Sequence, residues 1–479
     1  MHVVSRSEGS QTNPFQETFE RLRARRWEQA RTSAKQRVAR LRKLREAIVA
    51  RREELYQALY ADFRKPAAEV ESTEVLVVLM ELDHALKHVA QWMKPRRAAT
   101  PLLLAGTRSQ VRYEPKGVVL IISPWNYPFQ LTLAPLVAAV AAGNCVCIKP
   151  SEKTPHTAQV MARLIQDVFD PSEVVVVQGG AAESQALLEL PFDHFFFTGG
   201  ARVGRKVMEA AARHLAGVTL ELGGKSPAVV DNTADLKATA ERLVFGKFIN
   251  AGQTCVAPDY VMVPAAREEE LLGHLREAIE HAYGKTEEAR RASADFCRMV
   301  DDAQFSRVNG LLERSVAQGA RVALGGTVDA ASRYIAPTLL ADVKPETAIM
   351  EEEIFGPVLP VLRYDTLDDA VRFIREGSKP LALYIFSQDD ATVERLLADT
   401  TAGGTCVNTV VMHLTSAELP FGGVGESGLG NYHGEFGFRT FSHERAVLHQ
   451  GPLFLLKNFF PPYAGRAGKL GRIASRLFE

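Results

Sequence analysis

The sequence predicts an α/β fold built on two doubly wound parallel sheets, and three observations lead there. At 479 residues the chain exceeds one ordinary hydrophobic core, so two or three domains are expected. After Gly117, short apolar runs rich in β-branched and aromatic residues alternate with amphipathic helical stretches. Near Leu220 the same alternation starts afresh, which marks a second α/β unit.

The elements follow in order. From Phe15 to Phe63 the residues Leu22, Val38, Leu41, Leu44, Ile48, Leu55 and Leu59 recur on helical faces. Arg23, Arg25, Arg26, Arg40, Arg42 and Arg45 make this stretch basic, but no aromatic platform is interleaved and Glu46, Glu53 and Glu54 follow. We read it as the solvated face of ordinary helices and not as a nucleic-acid arm. The segment PRRAATPLLLAGTRSQVRYEPKG is rich in Pro, Gly and basic residues, as in a linker or a hairpin arm reaching another subunit. Then VVLIIS, CVCIKPS, EVVVVQG and HFFFTG read as buried strands. LTLAPLVAAVAAG, HTAQVMARLIQDVF, AESQALLEL and RVGRKVMEAAARHL read as the helices between and after them. The second unit runs from VTLELGGKSPAVV through YVMVP, REEELLGHLREAIEHAY, YIAPTLL, PVLPVLRY, LDDAVRFIREG and LALYIFS. Sheets of this kind bind ligands at the carboxyl ends of their strands.

Composition narrows the function classes. Lys+Arg and Asp+Glu both total 57, so net charge gives no case for nucleic acid or a membrane surface. The five cysteines, Cys145, Cys147, Cys255, Cys297 and Cys406, are scattered without a C-x-x-C pair, which suggests neither a disulfide frame nor a zinc site. A polar N-terminus and the lack of a clean membrane span make cytoplasm the expected compartment. The tail LFLLKNFFPPYAGRAGKLGRIASRLFE could lie at a membrane interface, but Pro461, Pro462 and its glycines favour packing on protein. Two motifs mislead. GVGESG spells a dinucleotide fingerprint outside any strand–turn–helix unit, and GGARVGRK lacks the lysine–hydroxyl pair of a P-loop. Yet the latter follows a strand and opens a helix, where free N–H groups favour an anion such as a pyrophosphate.

Three segments carry candidate chemistry: SPWNYPF with Asn126, LELGGKSP with Glu221 and GQTCVAP with Cys255. Alone, each has a plain structural explanation, since an isolated Cys is usually an inert hydrophobe and an Asn before Tyr-Pro a turn residue. Together they supply a thiolate to attack a carbonyl, an amide to hold the oxyanion and a carboxylate to activate water. A serine triad is excluded by the lack of G-x-S-x-G.

PWNYPF, IKPSE, FFFTGGARVG, LELGGKSP, GQTCVAPDY, EEEIFGPVLP, KPLALYIFS and LPFGGVGESGLGNYHGEFGFRTFSHERAVL stand in the order of the aldehyde dehydrogenases. The chain resembles that superfamily, and within it the class 3 group acting on fatty and aromatic aldehydes. The resemblance implies a Rossmann-like NAD-binding domain over 1–94 and 115–220 and a catalytic domain over 221–420. It also implies oligomerisation or bridging segments at 95–114 and 421–450, and a C-terminal tail at 451–479. By the same carry-over Cys255 is the nucleophile, Asn126 the oxyanion donor and Glu221 the base, with Glu353 the alternative base. Lys149 and Glu152 would meet the adenosine ribose, the Gly199–Gly204 turn the pyrophosphate, and Glu353 with Phe355 the nicotinamide ribose. Glu152 favours NAD over NADP, although the class accepts both. Tyr127, Phe245 and Phe421 are expected to line a channel for an apolar aldehyde, and no metal is expected. A homodimer is implied. One departure is Gly200, where relatives more often carry a small polar residue. A CoA-acylating dehydrogenase is the rival enzyme, opposed by Glu221; a non-catalytic protein retaining the fold is the rival outside enzymes.

Overall fold

The computed structural model describes residues 13–101, 104–452, 460–465, 467–468 and 471–472. A first sheet of six strands runs Gly428–Leu429, Gly217–Glu221, His194–Thr198, Val118–Ile122, Cys145–Lys149 and Val174–Val176 from edge to edge. Every pairing is parallel except that of Gly428–Leu429, which is antiparallel to Glu221 and Leu220. The strands Val118–Ile122, Cys145–Lys149 and His194–Thr198 are buried at every residue, as continuous apolar runs in a sheet covered on both faces should be.

The helix Gln130–Ala142 is also buried throughout, because it lacks a polar face to turn outward. It ends at Gly143 in the left-handed conformation (φ 91°), where a side chain would strike the Arg37 guanidinium. Arg37 itself donates to the Ala141 carbonyl (2.9 Å) and is buried. Burial lowers its guanidinium to about 10. The basic N-terminal helices Gln16–Ala30 and Ala34–Ala50 thus direct several arginines inward: Arg40 forms a two-pronged pair with Glu173 (3.1 and 2.7 Å).

The second sheet has seven strands in the order Arg321–Leu324, Thr338–Ala341, Val358–Tyr364, Tyr260–Pro264, Pro227–Val230, Ala382–Phe386 and Gly404–Val407. Only the edge strand Arg321–Leu324 is antiparallel. The chain passes between the two sheets through the five residues that separate Glu221 from Pro227. The architecture is therefore α/β with two doubly wound sheets, as the alternation of strands and helices predicts.

The segment after the helix Leu76–Trp92 is a hairpin: Arg96–Ala98 pairs antiparallel with Thr107–Pro115. A third strand, Ser442–Gln450, joins it over nine residue pairs. Residues 421–450 therefore serve two sheets, Gly428–Leu429 at the edge of the first and Ser442–Gln450 in this arm. Among the described residues no helix is long and apolar enough to cross a membrane. The expectation for the tail falls largely on positions outside the described residues.

Candidate active site

The site is built where strands of the first sheet end against a turn of the second unit. The helix Leu236–Phe248, capped by the Asp235 carboxylate accepting from the Ala238 N–H (3.1 Å), leads into that turn. Asn250, Ala251 and Gly252 then adopt positive φ in succession (55°, 50° and 73°). Left-handed conformations in non-glycine residues cost on the order of 1 kcal/mol or more each, and persist only when the surroundings over-determine them. Here they are. Asn250 Nδ2 donates to the Asn126 and Gln253 carbonyls (2.8 and 3.0 Å), and Gln253 Nε2 donates to the Asn250 and Arg298 carbonyls (3.0 and 3.1 Å). Gln253 Oε1 accepts from the Val300 N–H (3.0 Å). A side chain on Gly252 would lie 2.2 Å from the Gly356 carbonyl oxygen. Cys255 follows on this braced turn, half-buried between the buried Thr254 and Val256. The buried Gly, Gln and Asn before it are its support.

Asn126 lies between the strand Val118–Ile122 and the helix Gln130–Ala142, and its Nδ2 donates to the Gln253 carbonyl (3.0 Å). The next residue, Tyr127, shares a 2.6 Å hydrogen bond between its hydroxyl and Thr254 Oγ1. Glu221 ends the strand Gly217–Glu221; its carbonyl accepts from the Gly199 N–H (3.0 Å) and its side chain is buried. Neither carboxyl oxygen of Glu221 has a hydrogen-bond partner in the protein, and burial raises that carboxyl well above the usual range.

Glu353 lies on a loop gripped from three directions. Arg307 donates to the carbonyls of Glu353 and Ile354 (3.2 and 2.8 Å), and Lys225 to those of Ile349 and Glu352 (3.0 and 2.8 Å). Asp259 accepts from the Ile354 N–H (3.1 Å). A side chain on Gly223 would fall 2.0 Å from Glu353 Oε2, so glycine there is what lets the carboxyl reach the site. Burial, and then the charge of Asp259, lift Glu353 to about 8. The Cys255 thiol is pushed to about 12, first by burial and then by the charges of Glu353 and Glu221. The two carboxyls therefore disfavour the ionised form of the thiol.

The shift of Glu353 has a consequence for stability. A folded carboxyl near 8 against about 4.5 in the unfolded chain means that the folded state holds its proton more tightly. The stability it contributes is fully present below about pH 4.5 and is lost as pH rises through 8. Glu353→Gln cannot ionise. Without ligands it is expected to melt a few degrees above the parent at pH 9 and level with it near pH 4.5, a difference that thermal melts across pH would read.

Two cavities meet at this point. One, of about 210 Å³, is lined by Tyr127, Phe245, Phe421, Tyr432, Val411 and Met412 among others, and no Lys, Arg, Asp or Glu is in its wall. The other, of about 470 Å³, is lined by Asn126, Thr198, Gly199, Gly200, Glu221, Glu353 and Phe355. Cys255 and Leu131 belong to both walls. The thiol thus stands between an apolar chamber and a polar one. In the polar chamber Thr198 Oγ1, both oxygens of Glu221 and Glu353 Oε1 are buried without partners in the protein. The helix Ala201–Arg213 begins at this wall, and a side chain on Gly200 would meet nothing within 4 Å. The open helix start fits an anionic group, and the unpartnered carboxyl oxygens fit a ligand that donates hydrogen bonds. Among the described residues no cluster of His, Cys, Asp or Glu could hold a metal ion.

Some sequence candidates sit elsewhere. Gly204 is one turn into that helix, and a side chain there would come within 2.8 Å of Leu222 Cδ2, so its bareness serves helix–sheet packing. Lys149 is buried at the end of the strand Cys145–Lys149, donating to the Pro150 carbonyl (2.8 Å), with the exposed Glu152 3.8 Å away. Neither lines the polar chamber. Phe245 is 46% exposed at the outer end of the apolar chamber, whereas Phe421 and Tyr127 are buried in it. Leu131, Trp125, Tyr432 and His433, which are not among the sequence candidates, also form these walls. The GNYHG block contains the last two, so the signal was present there.

The aldehyde dehydrogenase family model matches residues 4–447. The 4,4'-diaponeurosporen-aldehyde dehydrogenase of Staphylococcus aureus (strain NCTC 8325 / PS 47) is 44% identical over 426 residues, covering 89% of this chain and 92% of that protein. Aldehyde dehydrogenase family 3 member A2 of Macaca fascicularis is 44% identical over 412 residues, covering 86% and 83%. Among solved structures, the substrate-bound state of Staphylococcus aureus AldH superposes with a TM-score of 0.92 at 42% identity, over 96% of this chain and 99% of that one. A Mycobacterium tuberculosis aldehyde dehydrogenase complexed with NAD+ gives 0.83 at 28% identity, over 91% and 90%. The chain belongs to the aldehyde dehydrogenase family and is an NAD(P)-dependent oxidoreductase acting on the aldehyde group.

Proposed function

We propose that the protein oxidises apolar aliphatic or aromatic aldehydes to carboxylic acids through a thioester on Cys255. The observation that carries this reading is the position of the half-buried thiol in the walls of both an apolar and a polar chamber. An aldehyde whose chain lies in the apolar chamber presents its carbonyl carbon to Cys255 Sγ. One buried carboxylate, Glu221 or Glu353, takes the thiol proton, because the thiol does not ionise unaided at neutral pH. Attack forms the C–S bond and moves the carbonyl π pair onto oxygen, where the Asn126 Nδ2 and the Cys255 N–H stabilise it. NAD bound in the polar chamber, against Gly199, Gly200, Glu353 and Phe355, would supply the hydride acceptor. As the C–H bond breaks, the C=O bond reforms and a thioester remains on Cys255. Glu221 then removes a proton from water as the water oxygen bonds to the thioester carbon; the C–S bond breaks, Cys255 leaves as thiolate and takes that proton back from the carboxyl, and the acid departs.

The cofactor reading rests on the polar chamber. Gly199, Gly200 and the helix start suit the pyrophosphate; Glu353 and Phe355 suit the nicotinamide ribose; Lys149 and Glu152 suit the adenosine ribose from beside the chamber. Glu152 would repel a 2′-phosphate, which favours NAD. We also infer a cytoplasmic homodimer assembled through the arm that contains Ser442–Gln450.

The test is NADH formation without CoA across straight-chain aldehydes from acetaldehyde to dodecanal, with benzaldehyde alongside. We expect kcat/KM to rise by up to about fourfold per methylene while the chain still enters the chamber, at about 0.8 kcal/mol for each buried methylene. A preference for acetaldehyde, or an absolute need for CoA, would overturn the apolar-substrate or the hydrolytic reading respectively.

A further inference from the structure

Beneath the site lies a buried ion pair that the reaction as derived does not use. The helix Arg52–Phe63 ends at Arg64 in the left-handed conformation (φ 60°), which turns Lys65 into the interior, where it is fully buried. Its Nζ donates to Glu74 Oε1 (2.9 Å), also fully buried, and stands 3.9 Å from the centre of the Tyr127 ring. Glu74 belongs to a π-helical turn, Glu71–Val75, between the helices Ala67–Val70 and Leu76–Trp92. Single π turns of this kind recur at functional sites. The other Glu74 oxygen accepts from the N–H groups of Phe129 (3.1 Å) and Gln130 (2.9 Å). These amides open the helix Gln130–Ala142, whose N-cap residue gives no side-chain cap of its own.

The pair therefore touches the stretch that follows Asn126 at two points, the Tyr127 ring and the N–H groups of Phe129 and Gln130. Glu74 fixes where the following helix starts. Lys65 holds the Tyr127 ring, whose hydroxyl bonds Thr254, the neighbour of Cys255. On the same stretch of chain, Glu69 Oε1 accepts from the Asn250 N–H (2.8 Å), bracing the left-handed turn before Cys255. A buried ion pair is weak evidence for stability, since an apolar pair of similar volume often serves as well. Its value lies in geometry.

We propose that Lys65 and Glu74 are positioning residues that hold the Asn126 amide in register with Cys255. This rests on the reading of Asn126 as the oxyanion donor. The test compares Lys65→Met/Glu74→Gln, which removes both charges and keeps an acceptor for the two amides, with the parent and with the same pair in an Asn126→Ala background. In the parent background we expect kcat to fall about 10–100-fold, the cost of a small misplacement at the reacting centre, with aldehyde KM and melting temperature nearly unchanged. In the Asn126→Ala background the pair should cost little more, because the group it positions is gone. Tyr127→Phe, which deletes only the bond to Thr254, should show part of the same fall in kcat.

A folded double variant with parental kcat overturns the proposal, and so does an equal loss in both backgrounds. Should the double variant not fold, parental kcat in Tyr127→Phe overturns it. An Asn126→Ala enzyme with the parent's rate would instead remove the oxyanion reading itself, and that single variant separates the two failures.

Discussion

Replacing Cys255 with alanine is expected to abolish NADH formation, lowering kcat by about 10⁴-fold or more while leaving the fold intact. Deleting the nucleophile of a covalent mechanism typically leaves only the modest acceleration from binding and the oxyanion site. The melting temperature should change little, since the side chain is small, only half-buried and borders two cavities. Alkylation offers an independent reading. Cys145, Cys147, Cys297 and Cys406 are buried, so a single iodoacetamide adduct should form on Cys255 and track the loss of activity. The reaction should be slow without ligands and faster as pH rises, because burial and two neighbouring carboxyls hold the thiol at about 12. A Cys255→Ala protein that still oxidises aldehydes would remove the thioester and leave the family fold with another chemistry.

Much of this was legible in the sequence, and the reasons differ between fold and site. Buried parallel strands such as Val118–Ile122 and His194–Thr198 announce themselves, because both faces are covered and nearly every residue is apolar. The helices Leu236–Phe248 and Asp302–Ala317 were not read, and the first lies directly before the Cys255 turn. Their mixed polar and apolar residues give a weaker signal than an unbroken apolar run. The strand Gly428–Leu429 is two residues long and exists through its pairing with Leu220 and Glu221, so no local pattern marks it. At the site, Asn126, Glu221 and Cys255 stood out because Gly and Pro frame each one. Glu353 followed only from its family motif, and the structure adds why Gly223 must be bare beside it. The Lys65–Glu74 pair was invisible, since nothing local distinguishes a lysine that turns inward from one that faces solvent.

Glu221→Gln should give an enzyme that forms about one equivalent of NADH per active site and then stops. Two carboxyls border the thiol, and their surroundings divide the work between them. Both line the wall where the cofactor is expected, but Glu353 sits on a loop held by Arg307, Lys225 and Asp259. Glu221 has both oxygens buried and free of protein partners, which leaves them to a water or to the thiol proton. Glutamine there keeps the volume and cannot take a proton. Attack and hydride loss need one deprotonation of the thiol, which Glu353 can still supply, whereas hydrolysis needs a base for water at every turnover. The burst should therefore survive while the steady rate falls by about 10²–10⁴-fold, the usual worth of a general base. A thioester should be detectable by mass after mixing with aldehyde and NAD. Stability should not suffer, since burial makes an ionised Glu221 costly and an amide of the same shape carries no charge. Loss of the burst along with the steady rate would place the deprotonation of Cys255 on Glu221 as well. Full turnover in Glu221→Gln, with a stall in Glu353→Gln, would exchange their roles and leave Glu353 as the base for water.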